Sequence, residues 1–326
     1  MDIEKNIGKD FSGVISVVEK NKIIYQKTFG YRDRANEIPN TVDTRFGTAS
    51  AGKAFVAAAI LKLIEEGSLN FETALGDVLD FDLKAIDKKV TVYELLTHTS
   101  GIPDYFDEYV MENYEDLWVE VPNYRIRTSK DLLPLFIDKP MMYERGEKFQ
   151  YNNSGYVMLG LLIEALKKVP FDVYLQEKIF DPAGMKDTGY FEMDRLPARC
   201  AYAYIYDEAR EDYRNNIYSV DVKGTGAGGA FTTAEDVEKF WKALASGKII
   251  SKEMFHEMKK PQGKASFYGY GLWILDSDTS CFQGSDPGVN FYTSFDLKEE
   301  RIITILSNVE YDAETLHDHI RNELRK

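Results

Sequence analysis

Ser50 and Lys53 stand three residues apart in Thr44-Arg45-Phe46-Gly47-Thr48-Ala49-Ser50-Ala51-Gly52-Lys53, where an irregular segment turns into an apolar run from Ala54 to Ile64. Positions i and i+3 share one helix face, so the Lys53 amine is set beside the Ser50 hydroxyl. The run behind them is apolar nearly all round, the mark of a buried helix. Positive potential at a helix N-terminus and loss of solvent both push an amine toward its neutral, basic form. A neutral amine beside a serine hydroxyl makes an activated nucleophile. Ser-x-x-Lys alone recurs by chance in 326 residues, so its neighbours decide what it means.

Three further groups matter. Tyr151-Asn152-Asn153 precedes a strong helical pattern; Tyr151 offers a phenol that can shuttle a proton, and Asn153 an amide that can hold a carbonyl. The competing use of these residues is as an N-cap cluster. His98-Thr99-Ser100-Gly101-Ile102-Pro103 reads as a helix-ending turn, with His98 structural rather than a base. Phe282-Gln283-Gly284-Ser285-Asp286-Pro287-Gly288 ends a strand; Gly284 marks close approach of another chain or a ligand, and the Ser285 N–H pairs with that of Ser50 as a candidate oxyanion hole.

The elements around these groups fall into two textures. Phe11 to Val18 and Ile23 to Phe29 predict a hairpin, and the helix behind Ser50 stops at Gly67, a suitable C-cap. Between Ser68 and Lys223, helical patterns alternate with long loops: Val92 to Thr97 capped by Thr91, Ser129 to Ile137, Gly155 to Lys168, and Phe171 to Phe180. Tyr105, Tyr109, Tyr114 and Tyr124 in these loops read as loop packing. After Gly224-Thr225-Gly226-Ala227-Gly228-Gly229, Thr232 and Glu235 form a capping box for a helix to Ser246, and a second runs from Ser251 to Lys260. Strands follow at Tyr268 to Leu275, Ser280 to Gln283, Phe291 to Asp296 and Ile302 to Ser307, then a helix from Ala313 to Arg325. The two strand-rich ends need each other, since neither has enough strands to be stable alone. The prediction is an α+β fold: an antiparallel sheet flanked by helices, built from residues 1–67 and 224–326, with a mostly helical insertion over 68–223.

Composition narrows the function. The net charge of −14 opposes nucleic acid, whose binding relies on Lys and Arg. Gly224-x-Gly226-x-x-Gly229 fits a dinucleotide pattern, but its helix begins too late to place an N-terminus inside the glycine turn. Cys200 and Cys281 are expected to be free thiols. No run is long enough to span a bilayer, and Met1-Asp2-Ile3-Glu4-Lys5-Asn6 has no apolar leader core; the expectation is a cytoplasmic protein, or an extracytoplasmic one had a leader been removed. No His/Cys/Asp cluster has ligand spacing, so neither a metal nor an organic cofactor is implied.

In order and spacing the chain resembles the penicillin-recognising serine enzymes, in the branch of class C β-lactamases, D,D-peptidases and related esterases. Phe46, Ser50 and Lys53 look like the nucleophile motif, and Tyr151-x-Asn153 with Gly155-Tyr156 and Leu159-Gly160 like the second motif. Leu95-Leu96-Thr97-His98-Thr99-Ser100-Gly101, Phe180 to Thr188 and Gly228 to Asp236 are similar to three more family stretches. The family's third motif carries a cation where this chain has Phe282, ahead of Gln283-Gly284. Losing that cation costs a charge-assisted hydrogen bond to a substrate carboxylate, about 1.5–3 kcal/mol. The resemblance implies a β-lactamase/transpeptidase-like fold and acyl transfer in which Ser50 attacks and Lys53 and Tyr151 share the base work. Asn153, Phe282, Gly284 and Ser285 would line the substrate site. Substrates are expected to be small esters, amides or peptides; the alternatives are a penicillin-binding D,D-peptidase or β-lactamase, and a non-catalytic binding protein on the same scaffold. Oligomeric state is not legible.

Overall fold

Strand β1 (Gly13–Glu19) turns into β2 (Lys22–Phe29) through Lys20 and Asn21, whose φ values of 47° and 64° are the left-handed pair that a two-residue hairpin needs. A computed structural model describes residues 3–325; Met1 and Asp2, the first residues of the stretch read for a leader, and Lys326 lie outside it. Two short strands, β3 (Tyr31–Asp33) and β4 (Ile38–Pro39), pair with each other. Then β5 (Phe46–Gly47) leads through a 3₁₀ turn, Ala49–Gly52, into α1 (Lys53–Glu65). Glu66 is the C-cap of α1, and Gly67 follows with φ +71°.

The middle of the chain holds α2 (Leu75–Val78), α3 (Val92–Leu96), α4 (Asn153–Lys167), α5 (Phe171–Leu175) and α6 (Asp181–Ala183). Thr91 caps α3 as expected, and Glu94, beyond that expectation, completes a capping box. The segment expected to be helical at Ser129 to Ile137 is instead a 3₁₀ stretch, Ser129–Leu135, with Pro134 inside it; proline has no N–H to give an α-helix. A hairpin that the sequence pattern did not show, β6 (Tyr204–Asp207) with β7 (Asp212–Asn215), closes this part. Its strands are short and polar, so no alternation stands out.

Strand β8 (Phe231–Thr232) pairs with β5, and α7 (Ala234–Ala245) and α8 (Lys252–Met258) follow. The N-cap of α7 is Thr233, whose hydroxyl accepts from the Asp236 N–H at 3.2 Å, one residue later than the predicted Thr232–Glu235 box. The strand expected from Tyr268 shrinks to β9 (Trp273–Ile274), because Gly271, at φ +73°, turns the chain just before it. Then come β10 (Thr279–Asp286), β11 (Val289–Asp296), β12 (Arg301–Ser307) and α9 (Ala313–Glu323).

Chain ends and sheet order confirm the predicted partnership. The main sheet runs β2-β1-β12-β11-β10-β9, antiparallel throughout. Alternation along the strands gives it two apolar faces. Ile15, Val17, Cys281, Tyr292 and Ile305 face α9. Val14, Phe282, Phe291 and Leu306 face the larger core that contains α1, α4 and α7. Helix α1 is buried almost all round, and Phe55 in its first turn meets Phe180, Phe240 and Phe282 edge-on. Cys200 and Cys281 are unpaired. His317, on the face of α9 turned to the sheet, is fully buried and bonds Ser294 Oγ at 2.7 Å.

Candidate active site

The nucleophile turn is held from three sides. The Thr48 N–H donates to Ala230 O at 2.8 Å, and the Gly229 N–H to Ala49 O at 3.0 Å. Ala49 is thereby kept at φ +46°, a conformation rare for alanine and of the kind found at functional sites. Strand β10 closes the third side. A Cβ on Gly284 would stand 2.5 Å from the Ser50 and Ala51 nitrogens, so only glycine lets the strand come so near. Gly228 is constrained likewise, since its Cβ would lie 2.2 Å from Ala49 O.

That β10 edge is open. Among the described residues β9 pairs only with Ser280 and Cys281, leaving Gln283 to Asp286 without a strand partner on that side. Asp286 and Val289 close the hairpin around Pro287-Gly288. N–H groups alternate sides along an antiparallel strand, so with Asp286–Val289 as the closing bonded pair the Ser285 N–H points away from β11, toward the nucleophile turn.

Lys53 is 2% exposed and its amine touches three oxygens: Ser50 Oγ at 2.9 Å, Asn153 Oδ1 at 2.8 Å and Ala227 O at 2.6 Å. Burial lowers its pKa to about 8; the charges of Glu108, Asp104, Asp286 and Asp221 keep it from falling further. The Tyr151 phenol hydrogen-bonds Ser50, and its pKa lies well above the ordinary value, chiefly through burial and then through Glu108. The Tyr151 ring lies 4.9 Å from the Lys53 amine and stacks on Trp273.

The second motif is positioned by buried polar bonds. Asn152 caps α4, its side chain accepting the Gly155 N–H at 2.7 Å. The carboxylate of Asp104 takes the Asn153 N–H at 2.8 Å and the Ser154 N–H at 2.9 Å. His98 accepts the Asn152 N–H at Nδ1 (3.0 Å), so its proton sits on Nε2, which faces Tyr268 Oη at 3.1 Å. Burial, then the charge on Lys53, holds His98 well below its ordinary pKa and therefore neutral. Both readings of Tyr151-Asn152-Asn153 thus fit together: Asn152 caps α4 while Tyr151 meets Ser50 and Asn153 meets Lys53.

These groups open onto a cleft of about 1020 Å³. The profile of the Beta-lactamase family matches residues 3–325. The chain belongs to the Beta-lactamase family. A penicillin binding protein from Bacillus halodurans, solved by crystallography, is 38% identical, has a TM-score of 0.92 and covers 98% of each chain. A Bacillus subtilis (strain 168) protein named PbpX, described as penicillin-binding, is 29% identical over 95% of this chain and 73% of its own. D-amino acid amidase from Ochrobactrum anthropi shares the fold, at 24% identity and a TM-score of 0.77 over 94% of this chain and 89% of the amidase.

Within that family this site has its own features. Ser50, Lys53, Tyr151, Asn153, Gly284 and Ser285 are brought together. Phe282 is not among them, which corrects its expected place at the substrate. It is 1% exposed and packs against Phe55, Phe240, Trp241 and Phe291, on the core side of β10. Tyr105, Tyr109 and Tyr114 line the cleft rather than merely packing loops, whereas Tyr124 is exposed outside it. Sequence reasoning missed the Ala227 carbonyl, Asp104, Trp273, Asp221 and Asp286. Asp104 directly follows the His98 turn and Asp286 sits in the Gly284 motif, so proximity was the available hint; the other three are joined to the site only by the fold.

Proposed function

We propose that the protein is a serine hydrolase that cleaves small esters or amides through an acyl-enzyme on Ser50. The bonding of Lys53 carries this reading. A neutral amine has two N–H bonds and one lone pair. Asn153 Oδ1 and Ala227 O can only accept, so they take both N–H bonds and leave the lone pair for the Ser50 hydroxyl. With a pKa of about 8, Lys53 is neutral in a useful fraction of molecules near neutral pH, whereas Tyr151 stays a phenol. Lys53 is therefore the first base, and Tyr151 the relay.

In the first half-reaction Ser50 Oγ bonds to the substrate carbonyl carbon and its proton passes to Lys53. The carbonyl π electrons move onto oxygen, stabilised by the Ser50 and Ser285 N–H groups. Collapse restores the C=O and breaks the bond to the leaving oxygen or nitrogen, which receives the proton from Lys53 through Tyr151. In the second half water supplies the nucleophilic oxygen, Lys53 takes its proton and returns it to Ser50 Oγ as that group leaves, and the acid is released. Asn153 keeps Lys53 in line throughout.

Purified protein should hydrolyse p-nitrophenyl acetate and take a fluorophosphonate label on the Ser50 peptide, read as a mass shift. Equal hydrolysis by a Ser50→Ala variant would overturn the reading, and failure to label would return the scaffold to a binding role. The likeness to proteins described as penicillin-binding supports a second reading, acylation by penicillins; a fluorescent penicillin adduct on Ser50 would establish it. The burial of Phe282 where the family pattern has a cation favours the first.

A further inference from the structure

The charge of the cleft is one-sided. Seven acidic side chains line it, Glu108, Asp221 and Asp286 among them, and no Lys, Arg or His does so among the described residues. Lys53, the cation that reaches it, is buried behind Ser50 with its bonds already made. At the cleft floor Asp221 and Asp286 also border a small inner chamber of about 40 Å³, room for one small polar head rather than a side chain. Asn216 lines the same chamber and is 2% exposed. Its Nδ2 donates to Pro287 O at 2.9 Å, which fixes the amide's orientation, and its buried Oδ1 accepts no hydrogen bond. Among the described residues, the one side-chain hydrogen bond to either carboxylate comes from Tyr114 Oη, at 3.1 Å from Asp221. The rest of the wall is mainly apolar, with Phe191, Met193, Val220, Val222 and Phe231, so Asn216 Oδ1 and the Asp286 carboxyl border the chamber with no side-chain donor among the described residues. Buried acceptors without partners cost free energy until something supplies the hydrogens.

We infer that this chamber receives the ammonium group of the substrate, so that the enzyme acts on aminoacyl amides or esters, or on short peptides with a free amine, rather than on carboxylate-bearing penicillins. An ammonium brings three N–H donors and a positive charge to two carboxylates and an amide oxygen. A metal ion fits less well, since no group of three His, Cys, Asp or Glu able to hold one exists among the described residues. The position also suits the chemistry. Asp286 follows Ser285, whose N–H faces the nucleophile turn, and one strand residue spans about 3.3 Å, so the ammonium lies close to the acyl carbon. Burial holds the Asp286 carboxyl up to about 8, with Asp221 and Glu108 adding to the rise and Lys53 opposing it. Asp221 is held up to about 6 by the same burial. A cation between them relieves both.

The inference rests on the hydrolase reading, and two separate measurements keep their failures apart. The first compares alanine p-nitroanilide, in both enantiomers, with its N-acetyl and N-succinyl forms. The expected kcat/KM is at least tenfold higher for the free amine than for the acetyl form, and lower still for the succinyl form. Asp286→Asn with Asp221→Asn should bring the amine-to-acetyl ratio, taken within that one variant, close to unity. Equal cleavage of acetylated substrate by the wild type, or a preference that survives both substitutions, would overturn the inference. The second needs no turnover: thermal unfolding with alaninamide and with N-acetylalaninamide. Alaninamide should raise the melting temperature of the wild type and not of the double variant, and the acetylated amide should do neither. If alaninamide fails to bind the folded wild type, the ammonium site is wrong even though p-nitrophenyl acetate is hydrolysed. If it binds and no ester is cleaved, the site stands and the hydrolase reading falls.

Discussion

The two ends of the cleft floor are built on opposite plans. At the Ser50 end, polar groups meet partners that suit them: Lys53 has two acceptors and a hydroxyl, Asp104 takes backbone N–H groups, and neutral His98 joins Asn152 to Tyr268. At the Asp221–Asp286 end, acceptors outnumber donors and Asn216 Oδ1 has none. A satisfied network is rigid and holds catalytic geometry before substrate arrives. An unsatisfied one stores a desolvation cost that a ligand of the right charge can repay. On the proposed function, machinery and recognition are separated in space.

Ser50→Ala should show the largest effect, a loss of ester hydrolysis of about 1,000-fold or more with a melting temperature near that of the wild type. Lys53→Met should lower kcat by about 100- to 10,000-fold, the usual span for a general base. The same variant should lose the pH-dependent Lys53 penalty, while Asn153 Oδ1 and Ala227 O are left without their donor. The folded pKa of Lys53, about 8, lies below its ordinary 10.5, so the unfolded chain binds more protons between those values. The Lys53 penalty is therefore full below pH 8 and fades as pH rises toward 10.5. Removing it is worth up to about 3 kcal/mol at pH 7, at 1.36 kcal/mol per pKa unit. Urea unfolding of both proteins at pH 7 and pH 10 checks this: relative to the wild type, the variant should be less stable at pH 10 than at pH 7. The wild-type rate should climb with pH along a limb centred near pH 8, the pKa of the base.

Phe282→Lys tests whether putting back the family's cation restores penicillin capture. It should not: the ammonium would be buried among aromatic rings, costing about 3–5 kcal/mol of stability, with no gain in labelling by fluorescent penicillin. The smallest effect belongs to His98→Gln, which weakens the brace on Asn152 without touching Ser50; a loss of about 1–3 kcal/mol is expected from the backbone N–H left short of an acceptor. Because the folded pKa of His98 lies below its ordinary 6.5, wild-type stability should fall as pH drops through 6.5. The variant should lack that part of the decline, seen in melting temperatures between pH 5 and 8.

Much of the fold was legible. The hairpin at Lys20-Asn21, the N-cap at Thr91 and the uniformly apolar α1 are local signals, written in adjacent residues. The misses were places where local pattern and tertiary need diverge. Pro134 turned an expected helix into a 3₁₀ stretch, and the polar β6–β7 hairpin has no alternation to read. The burial of His317 could not be read locally, because its partner, Ser294, lies on another element. Phe282 shows the same limit in reverse: alignment to a motif gives its place in the chain, but strand alternation and the aromatic core behind β10 decide which way it faces.

The sequence by itself determined that Ser50 and Lys53 share a helix mouth, that Tyr151 and Asn153 accompany them, and that a glycine at 284 must admit something close. These follow from spacing and residue type, which act over one or two turns of chain. Only the tertiary structure decided that the third oxygen on Lys53 is the Ala227 carbonyl, that Phe282 turns into the core, and that Asp221 and Asp286 meet at an inner chamber with Asn216. Those contacts join residues tens to hundreds of positions apart, and close packing of α1, α4, β10 and the 224–229 turn around Ser50, not local preference, selects them.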